Sequence, residues 1–217
     1  ELSGTQYTPE KGWDENKLNM FRRHIIQLGS TGVFVIYDEL EGKEAVTWSY
    51  LLHTVELPME IQELTDEVKV TGRNKAGGIS VAHLFSSAKT EQAMVDTFFC
   101  APTNWKNVTN AQGKALKYPN HWHFTATSEK AQVYRFATVI NTHALKYPAK
   151  DPEILSDGRI KVGGWLISVN LKSDGAPSFF IRSTQEKVNI TYKGEATVIN
   201  EDGYETVMRD TVPELEI

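Results

Sequence analysis

The chain has 217 residues, 40% of them hydrophobic and 24% charged, with a formal net charge of -5. That length is ample for a substantial core, while scattered Lys and Arg in an acidic chain argue against a nucleic-acid partner, which needs clustered positive charge. No run approaches the roughly 18 consecutive apolar residues of a membrane helix, and no basic amphipathic helix is visible, so no membrane partner is expected.

Cys100 is the only cysteine, which excludes an intrachain disulfide and any zinc site built on several thiolates. Beside Phe98 and Phe99 it reads as a packed thiol, since a nucleophile would need a base and an activating environment.

Taken in order, residues 1–16 are polar and broken by Gly4, Pro9 and Gly12, which predicts an extended segment with Trp13 as its one large anchor. Residues 17–217 are expected to form a single β-sandwich domain. Arg23 to Leu28, Val33 to Tyr37 and Thr47 to His53 read as three strands from their β-branched and aromatic content. Gly29-Ser30-Thr31-Gly32 closes the first pair and Glu39 to Glu44, with Gly42, closes the second, lengths that suit antiparallel hairpins. Arg22 and Arg23 are the only adjacent Arg pair. They are either alternating strand residues or a local patch for an acidic glycan.

Val68 to Val70, Ile79 to Phe85 and Met94 to Cys100 continue the strand pattern. Residues 101–120 break it with Pro102, Asn104, Gly113 and Pro119, and there Trp105 and Tyr118 either stack on sugar rings or anchor the loop from beneath. His121 to Thr127 and Val133 to Ile140 then form a hairpin across Ser128-Glu129-Lys130. Alternation places His121 and His123 on one face with Thr125, opposite Trp122 and Phe124. After Gly163 come Trp165 to Leu171, Ser178 to Arg182, Val188 to Tyr192, Ala196 to Ile199 and Tyr204 to Met208, with Glu201-Asp202-Gly203 the strongest turn signal. No segment sustains a 3.6-residue period with caps at both ends, so less than about a tenth of the chain should be helical. The expected class is all-β, a mainly antiparallel β-sandwich built as a large two-sheet meander. Its core should hold Phe34, Ile36, Trp48, Leu51, Phe124, Phe136, Val139, Trp165 and Ile167.

Six histidines raise the question of a metal. His121 and His123 share a strand face, but a third ligand must come from elsewhere, with His143 or Asp151 as candidates, and two imidazoles alone hold zinc weakly. His24, Asp38 and His53 are a second admissible ligand set. No resident metal or cofactor is expected. The chain lacks G-x-S-x-G, H-E-x-x-H, a phosphate-cradling Gly loop and a dinucleotide fingerprint. Asn107-Val108-Thr109 and Asn189-Ile190-Thr191 match the N-glycosylation acceptor pattern, the second inside a strand.

A basic strand, a short turn, the run Val33-Phe34-Val35-Ile36-Tyr37-Asp38-Glu39-Leu40-Glu41-Gly42, and an aromatic strand ending Leu51-Leu52-His53 follow one another from Phe21 to Thr54. This order resembles the β-sandwich region of heparinase II/III-like polysaccharide lyases. The resemblance implies a non-catalytic C-terminal β-sandwich module whose partner is the upstream catalytic domain of the same protein, with an acidic polysaccharide such as a glycosaminoglycan as a further partner. It also implies a periplasmic or secreted location. Such an enzyme cleaves uronic-acid-containing glycans by β-elimination: a base removes the C5 proton, the carboxylate is neutralised and the leaving oxygen is protonated. The metal ligands and catalytic Tyr, His or Asn of these lyases belong to segments before the motif, so none is carried onto a residue here, and this chain alone should be inactive. A free-standing carbohydrate-binding or structural surface module stays open as the alternative. Candidate carbohydrate contacts are Trp105, Tyr118, Trp13, Arg22 and Arg23.

Overall fold

The computed structural model describes residues 7–8, 12–13, 18–55, 57–96, 109–114, 121–146, 151–183, 185 and 187–209. Among them there is no helix. The expected all-β antiparallel class is observed as two seven-stranded antiparallel sheets and a small pair of β1 (Tyr7–Thr8) and β2 (Gly12–Trp13). The chain groups into two compact units, Glu1–Ala149 and Lys150–Ile217, where the sequence suggested one body after residue 16.

The first unit is organised on two long strands, β4 (Val33–Val55) and β9 (His121–Ala144). Around them lie β3 (Leu18–Gln27), β5 (Glu60–Glu63), β6 (Val68–Arg73), β7 (Gly78–Ser86) and β8 (Thr90–Val95), in the order β3-β4-β9-β7-β6-β5, with β8 on the free side of β9. Two expected turns are therefore corrected: neither Glu39 to Glu44 nor Ser128-Glu129-Lys130 reverses the chain. Their register explains the misreading, because Glu41 pairs with Val133 and Val46 with Ala131, so an irregularity in β4 sits beside the polar stretch of β9. Both strands bend there, and Lys43, Glu44, Glu129 and Lys130 are the exposed outside of the bend. Extra residues in one strand increase its local bend and twist, so the residue chemistry of a turn here serves a fold-over. Trp48 secures it by donating its indole N–H to the Ala131 carbonyl at 2.8 Å and its backbone N–H to Ser128 Oγ at 3.0 Å.

The fold-over creates the core. Leu40, Trp48, Tyr50, Val70, Leu84, Phe124, Tyr134 and Phe136 form one buried cluster drawn from both halves of β4 and β9, with the Tyr50 and Phe136 rings 5.5 Å apart. Full burial of each such ring contributes about 2 kcal/mol. Six of the nine expected core residues are buried, and Phe34 and Ile36 are half-buried. Leu51 is the correction: it is exposed, since Trp48 and Tyr50 point inward and strand alternation sends a residue of opposite parity out.

The second unit is a meander of β10 (Glu153–Ile154), β11 (Ile160–Val162), β12 (Trp165–Asn170), β13 (Ser178–Ser183), β14 (Val188–Lys193), β15 (Ala196–Glu201) and β16 (Tyr204–Arg209). Its register aligns Ile160, Ile167, Ile181, Ile190 and Ile199 in one cross-strand row, and a second row stacks Phe179 on Tyr192 at 5.3 Å. Such same-face pairs of branched and aromatic side chains hold neighbouring strands in register. Asp202 and Gly203 both have positive φ, the two-residue hairpin turn that the sequence signalled.

Candidate functional site

Three places concentrate polar chemistry in the first unit. The first is the β3–β4 edge, where the basic strand meets the acidic end of its neighbour. Cross-strand register pairs Arg22 with Glu39, Arg23 with Asp38 and His24 with Tyr37. Alternation then sorts these pairs onto opposite faces.

On one face Arg23 grips Asp38 with two parallel hydrogen bonds, Nε to Oδ1 at 2.6 Å and Nη2 to Oδ2 at 2.7 Å. The guanidinium also lies over the Phe21 ring at 5.7 Å and the Tyr50 ring at 5.5 Å. Burial pushes the Asp38 carboxyl above its ordinary value, more than Arg23 pulls it down, while the hydrogen bond to Asp38 raises Arg23. The two directions fit one picture, in which a deeply buried carboxylate is held by a cation that keeps partial access to water. Burial also pushes the Tyr50 hydroxyl up to about 12, so it acts as a neutral hydrogen-bonding group. On the opposite face Glu39 is buried, with His24 Nε2 3.2 Å from Oε1 and Arg22 Nη1 3.6 Å from Oε2.

Second is a histidine face at the far end of β4 and β9. His53 and His123 are cross-strand partners with rings 4.2 Å apart, edge to face. His121 lies on the same face of β9, as alternation predicts. Burial, then the His53 and His121 charges, lower the His123 pKa. Third, His53 and His143 line an open cleft of about 620 Å³ with Arg73, Asn74 and Ser80.

Measured against the expected residues, this geometry joins some and separates others. His24 and Asp38 project to opposite faces of the β3–β4 ladder, so with His53 they are not one ligand set. His123 is met by His53 instead of His143, which faces Ile79 of β7 near the other end of β9, and Asp151 belongs to the second unit. Among the described residues no three His, Cys, Asp or Glu side chains converge as a metal requires. Arg22 and Arg23 face carboxylates of their own sheet. Trp105, Tyr118, Cys100 and Asn107 lie outside the described residues, and of Trp13 only the backbone, paired with Tyr7, is described. Asn189 sits within β14 opposite Asn200.

Sequence reasoning missed the Glu67–His83 dyad, in which buried His83 Nδ1 stands 2.8 Å from Glu67 Oε2. Its only signal was a histidine at a polar position of an alternating strand. It also missed the His53–His123 pair, whose detection needs the pairing of β4 with β9 across most of the unit.

No family model matches the sequence. No curated protein matches it either.

Proposed function

We propose that this chain is the non-catalytic C-terminal β module of a polysaccharide lyase similar to the heparinase II/III enzymes, supporting cleavage of uronic-acid-containing glycans by β-elimination. Its partner in this reading is the catalytic part of the same protein, in a periplasmic or secreted setting. The observation that carries the reading is how the residues of the resembling motif are used. Arg22, Arg23, Asp38 and Glu39 are spent on one another across β3 and β4, so the motif works as a charge ladder at a sheet edge.

β-Elimination needs a base and a carboxylate neutraliser arranged around one sugar. Tyr37 and Glu39 are nearly inaccessible to solvent, Asp38 is held by two Arg23 hydrogen bonds, and His24 is engaged by Glu39. A packing and wall-forming role uses such residues; proton abstraction from a bound sugar does not. The test is absorbance of the unsaturated product near ~232 nm with heparan sulfate, chondroitin sulfate and alginate, which reports removal of the C5 proton. This chain should give a flat trace, and the parent protein that carries it should give a rise on at least one of the three. A rise from this chain that disappears on changing Tyr37, His24 or His53 would place the chemistry in the motif and overturn the reading.

A further inference from the structure

The cleft shared by His53 and His143 has a lining unlike the rest of this acidic chain. No carboxylate contributes to it, whereas one guanidinium, two imidazoles, an amide and a hydroxyl do, from Arg73, His53, His143, Asn74 and Ser80. Its two threonine hydroxyls are already used: Thr54 Oγ1 donates to the Leu57 carbonyl at 2.6 Å and Thr142 Oγ1 to the Gly32 carbonyl at 2.8 Å. Asn74 Oδ1 accepts the Gly78 N–H at 2.7 Å, which fixes the amide and leaves Nδ2 as its donor. Arg73 is engaged by Glu60 at 3.4 Å, but both groups are largely exposed, and such a pair contributes little.

The glycines show that the space is built. A Cβ on Gly78 would stand 2.7 Å from Asn74 Nδ2, and one on Gly72 would stand 2.8 Å from Thr54 Cγ2, so side chains there would displace the donors and the wall. The remaining volume, about 620 Å³, suits a sugar-sized ligand.

The lining itself contributes one guanidinium, several groups able to donate and no carboxylate, Glu60 reaching Arg73 from outside it, and this balance favours an anionic ligand. We propose that this cleft is an oxyanion-binding subsite, taking a carboxylate or sulfate, either as a free ion or as the acidic group of a saccharide. Arg73 supplies the fixed charge and a charge-assisted hydrogen bond, Asn74 and Ser80 add neutral donors, and an uncharged imidazole can still donate from one ring nitrogen. The inference stands on these side chains and does not require the lyase reading; only its saccharide arm rests on that reading.

The test is an NMR titration of the 217-residue chain, following the histidine ring resonances while sodium sulfate, sodium glucuronate or a heparan-derived oligosaccharide replaces chloride at constant ionic strength. Saturable shifts at His143 and His53 with sulfate and glucuronate are expected. Arg73→Gln should weaken the midpoint about tenfold, the loss of one charge-assisted hydrogen bond. Glu60→Gln, which removes the competing carboxylate, should tighten it. Both positions are exposed, so both variants keep the fold, as their β-sheet circular dichroism will verify. An oligosaccharide that binds more tightly than glucuronate supports a saccharide occupant, and one that binds no better supports a free anion. Absence of saturation with every anion, or an unchanged midpoint in Arg73→Gln, overturns the proposal. Because the readout is binding, anion saturation alongside a parent protein that shows no lyase activity would sink the lyase reading and leave this one standing.

Discussion

Replacing Arg23 and replacing Asp38 should have unequal consequences, although the two side chains make the same pair of hydrogen bonds. The Asp38 side chain is 2% exposed and that of Arg23 is 35% exposed. Arg23→Met keeps the aliphatic stem between Phe21 and Tyr50 but strands a buried carboxylate, a change that typically costs about 3–5 kcal/mol. Two features of the site hold the loss to the low end. Arg23 is partly solvated, so its charge is screened, and Asp38 can take up a proton, which from an ordinary value of 3.8 costs about 4 kcal/mol at pH 7. A loss of about 3 kcal/mol lowers the melting temperature of a chain this long by about 6–12 °C.

Asp38→Asn, by contrast, leaves Arg23 able to turn to water, and it removes an ionisation that burial already disfavours. The sign follows from the raised folded pKa: the stability linked to protonated Asp38 is present below its ordinary value and is lost as pH rises through the folded one. At neutral pH the asparagine should therefore stand within about 1 kcal/mol of the parent. Urea and thermal unfolding by circular dichroism at pH 7 and near pH 4.5 measure both variants. The Arg23→Met deficit should shrink at the lower pH, where protonation of Asp38 costs only about 1 kcal/mol. Equal losses for the two variants at pH 7, or an Arg23→Met deficit independent of pH, would refute this account of the pair.

Gly32→Ala should cost more than about 2 kcal/mol, because φ is +73° and the new Cβ would stand 2.6 Å from the Thr142 carbonyl oxygen that β9 presents. Gly113→Ala, at the same φ with nothing within 4 Å, should cost about 1 kcal/mol in the same unfolding assay, and equal losses would show that the contact is not a constraint. The lowered His123 pKa means stability that is present above the ordinary histidine value and lost as pH falls through the depressed folded one, so melting temperature should drop on acidification below about pH 6.5. The facing groups among the described residues are His53 on β4, His121 on β9 and Val95 on β8, and His123→Ala should flatten that slope. Protein purified without a His tag should carry well below one equivalent of zinc, and His121→Ala with His123→Ala should leave melting near pH 7.5 almost unchanged. Stoichiometric zinc whose removal unfolds the protein would contradict this.

The sheet content was legible because alternation and β-branched residues report local backbone shape. The Asp202-Gly203 hairpin was legible because only a few residues accept positive φ in succession. The fold-over of β4 and β9 was not. Gly42, Lys43 and Glu44 carry the same composition whether a chain reverses or bends, and the difference lies in the partner strand, 92 residues away in register at Glu41 and Val133. Leu51 shows the same limit at smaller scale, since period two tells which residues share a face but not which face is covered.

The site divides along the same line. Same-strand relations such as His121 with His123 follow from spacing alone, whereas His53 with His123 and Glu67 with His83 exist only through long-range pairing. The Arg22-Arg23 pair shows why residue type alone does not decide binding: two adjacent arginines admit a patch or an alternating strand, and here alternation sends them to opposite faces, each toward a different carboxylate. The cleft around His143 inverts that lesson. Arg73, Ser80 and His143 come from β6, β7 and β9 and share no motif, so what marks the place is an absence of acidic side chains that becomes meaningful only once the strands are assembled. In an acidic chain, a cleft whose own lining gathers donors and contributes no carboxylate is a place where the proposed oxyanion would meet little direct repulsion, with Glu60, paired to Arg73, as its competitor.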